Sequence, residues 1–145
     1  MIIHRIDHVG IVVNDLIAAK AFFLDFGLKL HGRESQRASG WITFGRHDAK
    51  VSYAMLGTLD GGSNIELIQF DRPSSEHEIQ PPPVNALGIR HIAFVVDDIE
   101  AVVEKLKNRG AEIFDRIQNF DDTFKLCYIR GPEDIILELA EQLDK

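Results

Sequence analysis

The chain has 145 residues, of which 45% are hydrophobic and 27% charged, the balance of a folded globular protein rather than a disordered one. Its 16 Lys and Arg against 23 Asp and Glu give a net charge of −7, which repels phosphate backbones and predicts no nucleic-acid partner. The single cysteine, Cys127, excludes an internal disulfide. No apolar run approaches the roughly 20 residues of a membrane span, and the N-terminus is charged too early for a signal peptide, so a cytoplasmic location is expected.

Residues 6–30 read IDHVGIVVNDLIAAKAFFLDFGLKL, and residues 89–113 read IRHIAFVVDDIEAVVEKLKNRGAEI. At a constant offset of 83, seven of these 25 positions are identical, among them His8 and His91, Asp15 and Asp98, and Gly27 and Gly110. Each copy opens with a β-branched run that predicts a strand, Ile6 to Val13 and Ile89 to Val96. Asn14-Asp15 and Asp97-Asp98 then offer caps for a following helix. Leu16, Ala19, Phe22, Phe23 and Phe26 recur at spacings of three and four, as do Ile99, Val102, Val103 and Leu106, so a helical face is predicted in each copy. Gly27 and Gly110 stand where a left-handed residue ends a helix.

Strand-like runs follow at Trp41 to Phe44, Val51 to Leu56 and Ile65 to Phe70 in the first half, and at Phe124 to Ile129 and Ile135 to Leu139 in the second. The stretch 71–87 between the halves carries Pro73, Pro81, Pro82 and Pro83, lacks periodicity and reads as an extended linker. The expected class is therefore α+β. Two pseudo-symmetric βαβββ modules, residues 1–70 and 88–145, are expected to form a curved mixed sheet around a cavity.

Strand alternation turns Val9, Ile11 and Val13 toward the helix and His8 to the opposite, concave face. The same alternation sets His91 opposite Ile92, Phe94 and Val96. The last strand of each module carries a glutamate among apolar neighbours, Glu66 in Ile-Glu-Leu-Ile and Glu138 in Ile-Leu-Glu-Leu. A carboxylate in such a strand is costly to bury without a partner. One strand histidine is ordinarily structural, but a His and a Glu recurring in register in both modules ask for a shared reason. Two neutral imidazoles and two carboxylates form a neutral complex with a divalent cation, and the oxygen–nitrogen set suits Ni(II), Zn(II), Fe(II), Mn(II) or Co(II). His8, Glu66, His91 and Glu138 are the expected metal ligands.

The stretches Asp7-His8-Val9-Gly10-Ile11-Val12-Val13-Asn14-Asp15-Leu16, Ile65-Glu66-Leu67, Gly88 to Asp98, and Gly131-Pro132-Glu133-Asp134 leading to Leu137-Glu138-Leu139 resemble the vicinal oxygen chelate superfamily. That superfamily includes glyoxalase I, methylmalonyl-CoA epimerase, extradiol dioxygenases and the bleomycin and fosfomycin resistance proteins. The resemblance spans nearly the whole chain outside the linker. It implies a metal that chelates two substrate oxygens, a small-molecule substrate, and a homodimer. It leaves open whether one site draws its ligands from one chain or two. In glyoxalase I-like and epimerase-like members a glutamate moves a proton at carbon, which makes Glu138 and Glu66 the candidate catalytic residues.

Two departures stand out. Asp134 occupies a turn position where the family often has Gly, and no arginine matches those by which glyoxalase I grips glutathione. Arg33, Arg37, Arg90 and Arg130 remain as candidates for an anion, with Arg130, Tyr128 and Trp41 as the expected substrate-binding residues; a surface or core role is the competing reading of each. The expected function is a metal-dependent, glyoxalase I-like lyase or isomerase. The alternatives are an extradiol-type Fe(II) dioxygenase, which needs open metal positions, and a non-catalytic binder of small molecules such as antibiotics.

Overall fold

The computed structural model describes residues 1–31, 39–44, 47–72 and 82–144, with backbone alone at 39–44, 47–49 and 72. The chain divides into two compact units, Met1–Glu78 and Ile79–Lys145. The first contains β1 (His8–Val12), α1 (Leu16–Phe26), β2 (Lys29–Leu30), β3 (Ser39–Phe44), β4 (His47–Gly57) and β5 (Asn64–Arg72). The second repeats the order with β6 (His91–Val95), α2 (Ile99–Asn108), β7 (Glu112–Ile113), β8 (Gln118–Phe120), β9 (Phe124–Arg130) and β10 (Ile136–Gln142).

Each unit is built on a mixed five-stranded sheet, ordered β1-β5-β4-β2 with β3 also on β4, and β6-β10-β9-β7 with β8 also on β9. The first strand of each unit pairs in parallel with the last, and the remaining pairs are antiparallel. The class is α+β, as the repeat implies. Sequence patterning misses β2, β7 and β8, because strands of two or three residues are too short to show an alternating period. β5 also continues through Asp71 and Arg72, the first two residues of the expected linker, because its pairing with β4 resumes past an irregularity at Lys50/Val51. Of the rest of that linker, residues 73–81 lie outside the described residues, and 82–87 form neither helix nor strand.

The helices start and stop on the expected residues. The Asp15 and Asp98 side chains each accept a hydrogen bond from a backbone amide three residues on, Ala18 and Ala101, both at 3.0 Å. Gly27, at φ 125°, closes α1 with its N–H on Leu24 and Phe23, and Gly110, at φ 87°, follows α2. α1 packs on β4 and β5, and α2 on β10 and β7. Ala19, Phe23, Val51, Leu56 and Leu67 fill the core of the first unit; Ile99, Val103, Ile129, Leu137 and Leu139 fill that of the second. Burial of each large aliphatic or aromatic side chain contributes about 1.5–3 kcal/mol. Phe22 and Phe26 are only half-buried and stack on each other at 6.5 Å, so the α1 apolar face is narrower than its sequence suggests. Among the described residues no helix is long and apolar enough to cross a membrane.

Ile92, Phe94 and Val96 are half-buried, while His91, Ala93 and Val95 are exposed, as alternation requires.

Candidate functional site

The two histidines and two glutamates sit at equivalent places in the two sheets. In the first unit Gly10 on β1 lies beside Glu66 on β5, which puts His8, two residues earlier, on the same face as Glu66. In the second, Ala93 on β6 lies beside Glu138 on β10, and His91 shares their face. A glycine and an alanine stand beside the glutamates on the neighbouring strands.

The geometry of the two pairs differs. His91 Nε2 stands 2.9 Å from Glu138 Oε2, whereas His8 Nε2 stands 3.9 Å from Glu66 Oε2. Both carboxylates are about four-fifths covered, at 20% exposure for Glu66 and 19% for Glu138, and both imidazoles are more open.

Different neighbours hold each pair. The Asp7 carboxylate accepts from His8 Nδ1 at 2.9 Å and from Arg5 Nη2 at 2.8 Å, and these bonds, that to His8 first, hold it below the usual carboxylate range. In the second unit the neighbour is aromatic. Tyr128 lies directly across from Glu138 in the β9–β10 register, where the first unit has Met55 across from Glu66. Its ring meets the His91 ring edge-on at 5.4 Å. Burial, first, and then the neighbouring Glu138 carboxylate raise the Tyr128 phenol above its ordinary range.

The remaining expected residues are placed as follows. Arg130, two residues along β9 from Tyr128, lays its guanidinium over the Phe114 ring at 4.6 Å and reaches Asp134 at 3.5 Å, so its charge is engaged within its own unit. Trp41 pairs with Lys50 in the β3–β4 ladder, and its side chain lies outside the described residues. Arg33 and Arg37 lie outside them entirely. Arg90 is half-buried at the entry to β6. A cavity of about 40 Å³ beside Tyr128, lined by Phe114, Arg116, Leu126 and Cys127, has room for water and not for a substrate.

One further carboxylate group gathers at the start of α2, where Asp98, Glu100 and Glu141 bring oxygens within 4.8 Å of one another. Each already has a structural task. Asp98 caps Ala101, Glu141 accepts from the Ile99 amide at 2.9 Å, and Glu100 takes the Lys125 ammonium at 2.6 Å. The cluster is a helix cap with an ion pair attached.

Sequence reasoning missed three of these residues. They are Asp7, which adjoins His8, Glu141, and its counterpart Gln69, whose Oε1 accepts from the Leu16 amide at 2.9 Å. The available signal was a second offset: Glu66 to Glu138 and Gln69 to Glu141 are both 72 residues apart.

With this geometry in view, comparisons with known proteins give a consistent answer. The family model described as Glyoxalase/Bleomycin resistance protein/Dioxygenase superfamily matches residues 7–128. The uncharacterised protein YaeR of Escherichia coli (strain K12) is 29% identical over 140 residues, 95% of this chain and 96% of its own. The uncharacterised YwkD of Bacillus subtilis (strain 168) is also 29% identical, over 98% of this chain and 100% of its own. A crystal structure of a glyoxalase family protein from Bacillus cereus is 36% identical with a TM-score of 0.87, covering 99% of this chain and 97% of its own. The chain belongs to the glyoxalase/bleomycin resistance protein/dioxygenase superfamily.

Proposed function

We propose that this chain is a metal-dependent enzyme of the glyoxalase I-like type, a lyase or isomerase that moves a proton next to a carbonyl, with His8, Glu66, His91 and Glu138 as ligands of a divalent ion. The observation that carries this reading is the recurrence of one imidazole Nε2 and one carboxylate Oε2, facing each other on the open side of each sheet. The donor chemistry fits the group. At His91 and Glu138 the nitrogen and oxygen stand 2.9 Å apart, close enough for both to serve one cation. The all-nitrogen-and-oxygen set suits Ni(II), Zn(II), Fe(II), Mn(II) or Co(II), and the two carboxylates balance the charge.

When bound, such an ion supplies Lewis-acid stabilisation of negative charge on a substrate oxygen. The chain's own residues supply the rest. Glu66 and Glu138 are the bases at the paired positions, and one of them accepts the substrate's carbon-bound proton on an Oε and returns it. Glu66 Oε2 stands 3.9 Å from its histidine against 2.9 Å for Glu138 Oε2, which leaves the Glu66 oxygens the less encumbered of the two. Tyr128 stands across from Glu138 in the β9–β10 register, beside that carboxylate's charge.

Metal analysis of protein purified without chelator tests the first half of this reading, and we expect one divalent ion per set of four ligands. His91→Ala and Glu138→Ala are expected to lose most of that metal. Turnover of a hemithioacetal or an acyl-CoA thioester epimer, abolished by chelator, tests the second half. A chain that carries no metal and gains none from Ni(II), Zn(II), Fe(II) or Mn(II) overturns the proposal. Metal-dependent cleavage of catechols without proton transfer at carbon assigns the site to ring-cleaving oxygenation instead.

A further inference from the structure

The first residue of the His8 pair's surroundings breaks the symmetry of the repeat. Position 7 is Asp, and its counterpart in the second module, position 90, is Arg. A neutral imidazole carries its hydrogen on one nitrogen and a lone pair on the other, and either arrangement is open to a free histidine. At His8 the choice is constrained. Asp7 Oδ2 lies 2.9 Å from Nδ1, and a carboxylate can only accept there, so the hydrogen belongs on Nδ1 and the lone pair on Nε2. Nε2 is the atom turned toward Glu66.

The carboxylate is itself held in place. Arg5 Nη2 binds its other oxygen at 2.8 Å. The backbone beneath it is pinned to the start of β5: the Asn64 amide donates to the Asp7 carbonyl at 3.0 Å, and the Ser63 hydroxyl donates to the Ile6 carbonyl at 2.9 Å. An exposed ion pair free to drift would set nothing. The Arg5–Asp7 pair is exposed, at 71% and 56%, but the backbone that carries Asp7 is tied to the start of β5, which keeps its carboxylate beside the histidine on the next residue. His91 is oriented by other means, its Nε2 on Glu138 and its ring edge against Tyr128.

We propose that Asp7 is a positioning residue that fixes the His8 imidazole with hydrogen on Nδ1, presenting the Nε2 lone pair beside Glu66 as a ready metal donor. Its value for metal binding rests on the ligand reading above. Its effect on the imidazole does not, and this separates the two in experiment.

The test is run on the full chain. Two-bond ¹H–¹⁵N correlation spectra of the metal-free protein at pH 8 report which nitrogen of His8 carries hydrogen, and Ni(II) titration reports affinity. In the parent we expect the Nδ1–H form. Asp7→Ala is expected to shift His8 toward the Nε2–H form and weaken Ni(II) binding by about 10–100-fold. Asp7→Asn, whose side-chain carbonyl can still accept from Nδ1, is expected to restore the Nδ1–H form and part of the affinity. Circular dichroism on each variant checks that the fold is intact. A parent His8 in the Nε2–H form overturns the proposal, as does an Asp7→Ala variant with unchanged His8 spectrum or unchanged Ni(II) affinity. If the parent shows the Nδ1–H form but binds no Ni(II), the ligand reading fails while the orientation by Asp7 stands.

Discussion

Gln69 and Glu141 occupy the same place in their modules, three residues past the glutamate of the last strand, and each accepts a hydrogen bond from the first amide of the helix that follows the first strand. The same strand therefore carries the candidate ligand and satisfies an amide that the helix leaves unpaired. Gln69→Ala and Glu141→Ala are each expected to lower stability by about 1 kcal/mol, the usual cost of losing a side-chain helix cap. Urea unfolding of the two variants measures it. Shifts near zero in both would show that water replaces these bonds without loss.

The turn before β10 holds Glu133 at φ 51° and Asp134 at φ 63°, both in the left-handed region. An L-residue there costs about 1–2 kcal/mol, against about 0.5–1 kcal/mol for the greater freedom that glycine loses on folding. Asp134→Gly is expected to stabilise the chain by about 0.5 kcal/mol. The 3.5 Å contact to Arg130 that it removes is long and partly exposed, so its loss subtracts little. Thermal melting decides the sign.

Tyr128 provides a spectroscopic handle on Glu138. Absorbance near the tyrosinate band, followed in a Tyr53→Phe background, should show Tyr128 ionising above the usual phenol range. Glu138→Gln removes a negative charge and should bring that midpoint down. It should not return fully to the ordinary value, because burial is the largest cause and persists. A midpoint unmoved by Glu138→Gln would mean that the hydroxyl and carboxylate are not coupled.

Cys127 lies on the covered side of β9 at 2% exposure, and burial pushes its thiol up to about 11. The folded chain favours the protonated thiol more than the unfolded chain does. Above the unfolded thiol's range the unfolded state thus binds fewer protons, and stability falls as pH rises toward about 11. Iodoacetamide at pH 8 is expected to leave the native protein unlabelled and to modify it once unfolded in guanidinium. Rapid native labelling would show that this strand opens readily.

Much of this architecture was legible because the repeat is ungapped where it matters. The run from Ile6 to Leu30 realigns with Ile89 to Ile113 without insertion, so β1, α1 and their twins, together with both caps, follow from local pattern. The last strands obey a different offset, since the intervening turns differ in length, and this hid Gln69 and Glu141. Tyr128 against Glu138 was hidden for another reason: the β9–β10 register depends on the turn at Pro132–Asp134, whose left-handed Glu133 and Asp134 no residue pattern announces. The Arg130 cation–aromatic contact with Phe114 and its reach to Asp134 come from a loop and a turn that local periodicity does not describe.

The contacts described around His8 and Glu66 are made by residues 5–69, and those around His91 and Glu138 by residues 91–141. Duplicated halves wired in this way are free to specialise separately, each keeping its paired donors while its supporting neighbours drift. Where one half has Asp7 the other has Arg90, and where one has Met55 the other has Tyr128: one half sets a carboxylate beside its imidazole, the other a phenol beside its carboxylate.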